Sequence, residues 1–378
     1  MKLLIAGGGT GGHLFPGIAL AEELLTRQPG LNDVLFVGTR RGIEARRVPE
    51  AGMKIEFIDV AGIKGRGLWS RLRSLAKIPG AIWRSIQILR DYQPDVVVGV
   101  GGYASGPVVL AARLLGLPTA IQEQNALPGM TNRWLGHIAE VVFTAFPEAA
   151  ASFPKAKVRM FGNPIRRAFL DNYLTETTRH EKTGLLVFGG SQGAHVLNAT
   201  VIEALKTLPE DRRGTFSIVH QTGARELAAV REAYGAAGIE AEVVEFIDDM
   251  SKAYERADLV VCRAGATSLA ELTVARKASI LVPFAAATDN HQEINASSLV
   301  RAGAAVMIRE SELTPERLGQ ELTSLLDPER RAAMEKAAGH LGHPEAAHDL
   351  VDVLVEMVEA QKAKSSKESG DQAPVERR

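Results

Sequence analysis

Leu3-Leu4-Ile5-Ala6-Gly7-Gly8-Gly9-Thr10-Gly11-Gly12-His13-Leu14-Phe15-Pro16-Gly17 opens the chain, and its reading decides the fold. Leu3 to Ala6 form a short apolar strand that the glycines end, and from Pro16 to Leu25 the residues Ile18, Ala21, Leu24 and Leu25 recur at helical spacing. Strand, glycine loop and helix in that order begin a βαβ unit. Gly7, Gly9 and Gly12 keep the G-x-G-x-x-G spacing, in which small residues let backbone amides and a helix N-terminus approach a phosphate.

The same signal repeats outward. Val34-Leu35-Phe36-Val37-Gly38 and Asp95-Val96-Val97-Val98-Gly99 read as strands, the latter running into a second glycine loop at Gly101, Gly102 and Gly106. Such continuously apolar strands indicate a buried parallel sheet. The pattern pauses at Phe161-Gly162-Asn163-Pro164-Ile165-Arg166, and a polar stretch from Asp171 to Thr183 follows, which places a domain hinge there. Strands resume at Gly184-Leu185-Leu186-Val187-Phe188, before a third glycine loop, Gly189-Gly190-Ser191-Gln192-Gly193-Ala194. Others are expected near Phe216–Val219, Val243–Phe246, Leu259–Cys262 and Ile280–Val282. Two βαβ halves in series result. Ala347, Leu350, Val351, Leu354 and Val358 share one face of a helix from Glu345 to Val358. The tail from Lys362 to Arg378, rich in Lys, Ser and Glu, is expected to be disordered.

Composition sets the limits. At roughly 150 residues per domain, 378 residues suggest two to three domains. With 46% hydrophobic and 24% charged residues, most of the chain is globular rather than disordered. The formal net charge of -1 supplies no global field for a nucleic-acid backbone, so no nucleic-acid partner is expected. A single cysteine, Cys262, suits a reducing compartment. The apolar run at the N-terminus is too short for a signal peptide, and no run of about 18 apolar residues would span a bilayer.

The loops narrow the chemistry. A dinucleotide site would place an acid at the end of the second strand to hold a ribose. Gly38-Thr39-Arg40-Arg41 stands there instead, which disfavours NAD and would suit NADP. The position after Gly12 is His13 and no Lys-Ser/Thr follows, against a P-loop NTPase. An imidazole on a glycine loop at the mouth of a sheet can take a proton from a hydroxyl; the alternative is a histidine that only caps the turn. Three such loops, at Gly7, Gly101 and Gly189, suggest several anion-accepting backbones, although each taken alone reads first as a tight βα turn. His340, His343 and His348 straddle a Gly-Pro break and read as surface residues, and Cys262 as a small buried hydrophobe.

Taken together, Gly8 to Gly17, Gly101-Gly102-Tyr103-Ala104-Ser105-Gly106-Pro107, Glu123-Gln124-Asn125, Gly162 to Arg166, Gly189 to Ala194 and Arg263-Ala264-Gly265-Ala266-Thr267 resemble the MurG family, in the right order over residues 1 to 360. The resemblance implies an α/β GT-B fold, two Rossmann-like parallel-sheet domains facing across a cleft. Residues 1–164, completed by the C-terminal helix 345–360, would be the acceptor and membrane-facing domain, and 165–344 the UDP-GlcNAc-binding domain, with 362–378 as the disordered tail. The implied reaction is inverting transfer of GlcNAc from UDP-GlcNAc to the MurNAc 4-hydroxyl of undecaprenyl-diphospho-MurNAc-pentapeptide (lipid I), giving lipid II for peptidoglycan. No cofactor is implied, and no metal-binding Asp-x-Asp motif is obvious.

Carried over by position, Ser191 would lie near the diphosphate and Arg166 would bind the donor. Ile247 would read uracil through its backbone, and Ala266, Thr267, Ser268, Leu269, Ala270 and Glu271 would surround sugar and ribose, Glu271 accepting ribose hydroxyls. Gln292 would bond the GlcNAc hydroxyls. Thr10, Gly11, Gly12 and Asn125 would complete the cleft from the first domain, with His13 as general base. Many members carry His where this chain has Gln122. Between residues 62 and 90, Lys64, Arg66, Arg71, Arg73, Lys77, Arg84 and Arg90 are interleaved with Leu68, Trp69, Leu72, Leu75, Ile78, Ile82, Trp83 and Ile86. That pattern suits an anionic membrane surface, the alternative being a basic helix whose apolar side packs inward. The resemblance places the protein peripherally on the cytoplasmic face of the bacterial inner membrane, with other cell-wall synthesis proteins as partners. The competing readings are another UDP-sugar GT-B enzyme (a glycolipid synthase or a UDP-GlcNAc 2-epimerase), a non-catalytic UDP-sugar sensor and, more remotely, an NADP oxidoreductase.

Overall fold

The computed structural model describes residues 1–60, 76–173, 182–190, 193–287 and 290–370. The chain forms two compact units. One comprises Met1–Gln124, Pro128–Arg166 and the chain from Glu345 onward; the other comprises Asn125–Leu127 and Arg167–Pro344.

Seven strands build the sheet of the first unit: β1 (Lys2–Gly7), β2 (Asp33–Gly38), β3 (Lys54–Phe57), β4 (Val96–Gly101), β5 (Thr119–Glu123), β6 (Val141–Thr144) and β7 (Val158–Met160). They lie in the order β3-β2-β1-β4-β5-β6-β7, and every pairing is parallel. Leu3 and Ile5 pack on one face with Leu14, Ile18 and Leu24 of the helix Gly11–Arg27. Leu4 and Ala6 pack on the other with Ile88, Val108 and Leu135. Both faces are covered, which is why β1 is apolar throughout rather than alternating. The strand order reverses between β1 and β4, so a crevice opens outside their carboxyl ends, where the first two glycine loops lie.

The helix Ala346–Gly370 closes this unit by packing on Gly11–Arg27, with Leu350, Val351, Leu354 and Val358 buried in the same core. Each such side chain contributes roughly 1.5–3 kcal/mol relative to exposure. Arg27 pairs with Glu23 and Asp352 and donates to the His348 carbonyl at 2.7 Å. The helix runs past Lys362, so the tail expected to be disordered is helical as far as Gly370. Ala, Lys, Gln and Glu are good helix formers, and extending a nucleated helix costs little. Residues 371–378 lie outside the described residues.

The second unit holds β8 (Thr183–Phe188), β9 (Phe216–Gln221), β10 (Glu242–Val244), β11 (Leu259–Cys262), β12 (Ala278–Leu281) and β13 (Val306–Met307). Their order, β10-β9-β8-β11-β12-β13, is again all parallel. Leu185, Val187, Leu197, Val201, Ile218, Val261 and Ile280 form its core. Its reversal falls between β8 and β11, so the third glycine loop and the Arg263-Ala264-Gly265 turn flank the equivalent crevice. Among the described residues, no helix is long and apolar enough to cross a membrane.

Candidate active site

The first glycine loop is held from beneath by a residue that sequence reasoning missed. Glu44, only 1% exposed, accepts the Gly9 N–H at 2.7 Å, the Thr39 N–H at 2.8 Å and the Thr39 hydroxyl at 2.9 Å. Its carboxylate fills the space a Cβ on Gly8 would need, at 2.4 Å. A dinucleotide site would carry an acid for a ribose at the end of β2; here the acid lies a few residues later and binds the loop itself. Gly102 (φ +78°) passes so close to Gly8 that a Cβ there would stand 2.3 Å from the Gly8 carbonyl oxygen. Above this base, Thr10 is the N-cap of Gly11–Arg27. The His13 and Leu14 N–H groups return to its carbonyl, while those of Gly11 and Gly12 have no acceptor within the helix. The pair faces outward as an anion-ready helix start.

His13 stands on that start, half-buried, with Nδ1 2.9 Å from Gln124 Oε1. Gln124 is fully buried; its Nε2 donates to the Val100 carbonyl at 2.8 Å and to the Gln122 side-chain oxygen. Gln122 in turn donates to Asn163 Oδ1 at 2.8 Å. Arg166 belongs to the first unit, which runs two residues past the expected boundary at 164/165, and its guanidinium lies over the Phe15 ring at 5.3 Å.

Asn125 requires a correction. Expected from the first domain, it packs with the second: Asn295, completely buried, accepts the Ala126 N–H at 2.8 Å and donates to Asn125 Oδ1 at 3.2 Å and to the Ala264 carbonyl at 3.3 Å.

In the second unit the helix Ala266–Val274 starts directly beyond β11. Leu269 is the first of its N–H groups to return to the chain, at 3.0 Å from the Gly265 carbonyl, which leaves those of Ala266, Thr267 and Ser268 without an intrahelical acceptor. The buried Thr267 hydroxyl likewise has no partner among the described residues. Ala270 and Glu271 follow in the next turn, half-buried, with Leu269 in the core. Burial, with the Glu271 carboxylate nearby, pushes the Cys262 thiol far above its ordinary range, so it stays a neutral, inert side chain.

Gln292 Oε1 accepts the Phe284 N–H at 2.9 Å. That bond orients the amide and leaves Nε2 as a donor for a hydroxyl. The Ile247 N–H donates to Gln221 Oε1 at 2.8 Å, and Gln221 Nε2 donates to the Gly190 carbonyl at 3.0 Å. Gln221 thus ties the third glycine loop to the Ile247 segment; a polar end on the apolar strand Phe216–Gln221 was the signal for it. Ser191 lies outside the described residues, as do Lys64, Arg66, Leu68, Trp69, Arg71, Leu72, Arg73 and Leu75 of the basic stretch. Of the rest, Ile82 and Ile86 pack inward while Trp83 is 64% exposed; Lys77 pairs with Asp59 and Arg84 with Glu56.

The glycosyltransferase family 28 N-terminal domain matches residues 3–144, and the family 28 C-terminal domain matches residues 184–350. A transferase from Myxococcus xanthus is 60% identical over 95% of this chain and 93% of its own length. One from Geobacter is 50% identical over 94% and 96%. Both are named UDP-N-acetylglucosamine--N-acetylmuramyl-(pentapeptide) pyrophosphoryl-undecaprenol N-acetylglucosamine transferase. The crystal structure of Acinetobacter baumannii MurG superposes with a TM-score of 0.78 at 33% identity, covering 94% of this chain and 99% of that one. A UDP-GlcNAc 2-epimerase from Neisseria meningitidis, at 15% identity and TM-score 0.66, shares the fold alone, over 94% of this chain and all of its own. The family 28 matches in both Rossmann-like parallel-sheet units make this a GT-B glycosyltransferase. The chain belongs to glycosyltransferase family 28.

Proposed function

We propose that this enzyme transfers GlcNAc from UDP-GlcNAc to the MurNAc 4-hydroxyl of lipid I, with inversion, to make lipid II. The observation that carries the reading is 60% identity over 95% of the chain to transferases of that name. The local chemistry supports it. The unclaimed N–H groups of Ala266, Thr267 and Ser268, with the Thr267 hydroxyl, suit the donor's diphosphate, and Ser191 and Arg166 would add to them. Glu271 would accept ribose hydroxyls and Gln292 Nε2 would bond the sugar. At Ile247 uracil would have to displace the Gln221 side chain or use the backbone carbonyl.

In the first unit, Thr10, Gly11, Gly12 and His13 would meet the acceptor. His13 would take the hydroxyl proton as that oxygen attacks C1 and UDP leaves with the bonding electrons. Trp83 and Leu114, 64% and 68% exposed, stand on helices that pack on each other, Ile78–Tyr92 and Ser105–Leu114. With the cations around them they would seat the protein peripherally on an anionic membrane, at the cytoplasmic face where lipid I is used and alongside other cell-wall enzymes serving cell shape and division.

The test is transfer of labelled GlcNAc from UDP-GlcNAc to a short-chain lipid I analogue. Wild type should form product, H13A should mainly lose kcat, and E271A should mainly raise the KM for donor. Turnover of UDP-GlcNAc without any lipid acceptor, or tight donor binding with no product, would sink the assignment.

A further inference from the structure

His13 stands at the end of a chain of three side-chain amides, Gln124, Gln122 and Asn163. Gln124 Nε2 faces acceptors alone: the Val100 carbonyl at 2.8 Å, the Gln122 carbonyl at 3.3 Å and the Gln122 side-chain oxygen. Carbonyl oxygens cannot donate. The reversed amide would set oxygen against oxygen at the Val100 contact, in a site where Gln124 is fully buried and Gln122 only 1% exposed. The orientation is anchored at its far end too. Gln122 Oε1 is used by Gln124, so Gln122 Nε2 donates to Asn163 Oδ1 at 2.8 Å, and Asn163 Nδ2 turns to the backbone carbonyl of Gln124 at 3.4 Å. Three amides in series, tied to three backbone carbonyls, leave one atom for His13: Gln124 Oε1, 2.9 Å from Nδ1. An oxygen there requires the proton on Nδ1.

We propose that Gln124, fixed by Val100 and by the Gln122–Asn163 pair, is a positioning residue that holds the His13 proton on Nδ1 and its lone pair on Nε2. Nε2 is then the nitrogen that accepts the acceptor hydroxyl's proton, as the hydroxyl oxygen bonds to the sugar C1 and the UDP leaving group departs with the electron pair. Among the described residues nothing hydrogen-bonds Nε2. The amides do not ionise, so their orientation does not change with pH. The charged groups on neighbouring elements are engaged elsewhere: Glu44 with Gly9 and Thr39, Glu123 with Gly129 N–H and Asn132, and Arg166 over Phe15. This assignment rests on His13 as the base, and the experiment separates the two.

Full-length enzyme labelled with 15N in histidine is compared with H13N to find the His13 signals. Wild type at neutral pH should show His13 Nδ1 protonated and Nε2 bare, the reverse of the usual preference of a free neutral imidazole. Q124M, which keeps the bulk and loses the oxygen, should lose that pattern and lower kcat roughly 10- to 100-fold at unchanged donor KM. Q122M, one amide further out, should show the same loss in weaker form and serves if Q124M fails to fold. His13 protonated on Nε2 in wild type would overturn the tautomer assignment whatever the kinetics. Wild-type kcat in H13A would overturn the base reading whatever the spectrum.

Discussion

Replacing Glu44 tests how the first glycine loop is held. Its carboxylate accepts the N–H of Gly9 at 2.7 Å and of Thr39 at 2.8 Å, and the Thr39 hydroxyl at 2.9 Å. E44A leaves all three without an acceptor. A buried donor stripped of its partner costs about 1–3 kcal/mol, and Gly9 lies at the exposed tip where water relieves part of it, so about 3 kcal/mol is expected in total. E44Q keeps one oxygen for Thr39 and turns an NH2 group toward the Gly9 N–H, at a cost of about 1.5 kcal/mol. All three tryptophans, Trp69, Trp83 and Trp134, precede Arg166, so tryptophan emission during guanidinium unfolding reports the first unit without interference from the second. Hydrogen exchange supplies the local measure, because 3 kcal/mol corresponds to roughly a 100-fold faster opening at the Gly9 and Thr39 amides. If E44A unfolds within about 0.5 kcal/mol of wild type and those amides exchange at unchanged rates, Glu44 is not what holds the loop.

Burial pushes the His220 imidazole down to about 4, and it sits neutral between Tyr234 OH at 2.9 Å and Asn198 Oδ1 at 3.2 Å. Between pH 6.5 and 4 the unfolded chain binds the proton and the folded one does not, so stability falls with pH across that window, by about 3 kcal/mol; calorimetry should find the slope reduced in H220Q. G102A forces a Cβ against the Gly8 carbonyl at φ +78° and should cost about 2 kcal/mol or more while lowering kcat; an active, equally stable G102A would show that the two loops are not locked together. Q292E keeps the acceptor for the Phe284 N–H and removes the free donor, so KM for UDP-GlcNAc should rise about tenfold with kcat little changed, and an unaltered KM would remove Gln292 from the sugar site.

The glycine loops after β1, β4 and β8, the apolar strands between them and the C-terminal amphipathic helix could all be read from the sequence. Those features are local, because an apolar run, a helical spacing or a strand-ending glycine is set by residues within a few positions of one another. Less was legible where a strand is short or mixed. Lys54–Phe57 alternates in burial, and Thr119–Glu123 carries Gln122 and Glu123 into the interior, so neither gives a clean apolar run.

The site's fine geometry was not legible at all. Gly9 meets an acid 35 residues on and His13 an amide 111 residues on, because parallel crossovers set the carboxyl ends of β1, β2, β4 and β5 side by side. Asn295 likewise draws residues 125–127 into the second unit, against their order in the chain. The sequence by itself therefore determined the two Rossmann-like halves and the residue types that the chemistry needs, since those depend on local pattern. Tertiary structure alone decided which acceptor each loop amide meets and which imidazole nitrogen bears the proton, since a buried polar group takes its orientation from whatever partner the strand order brings beside it.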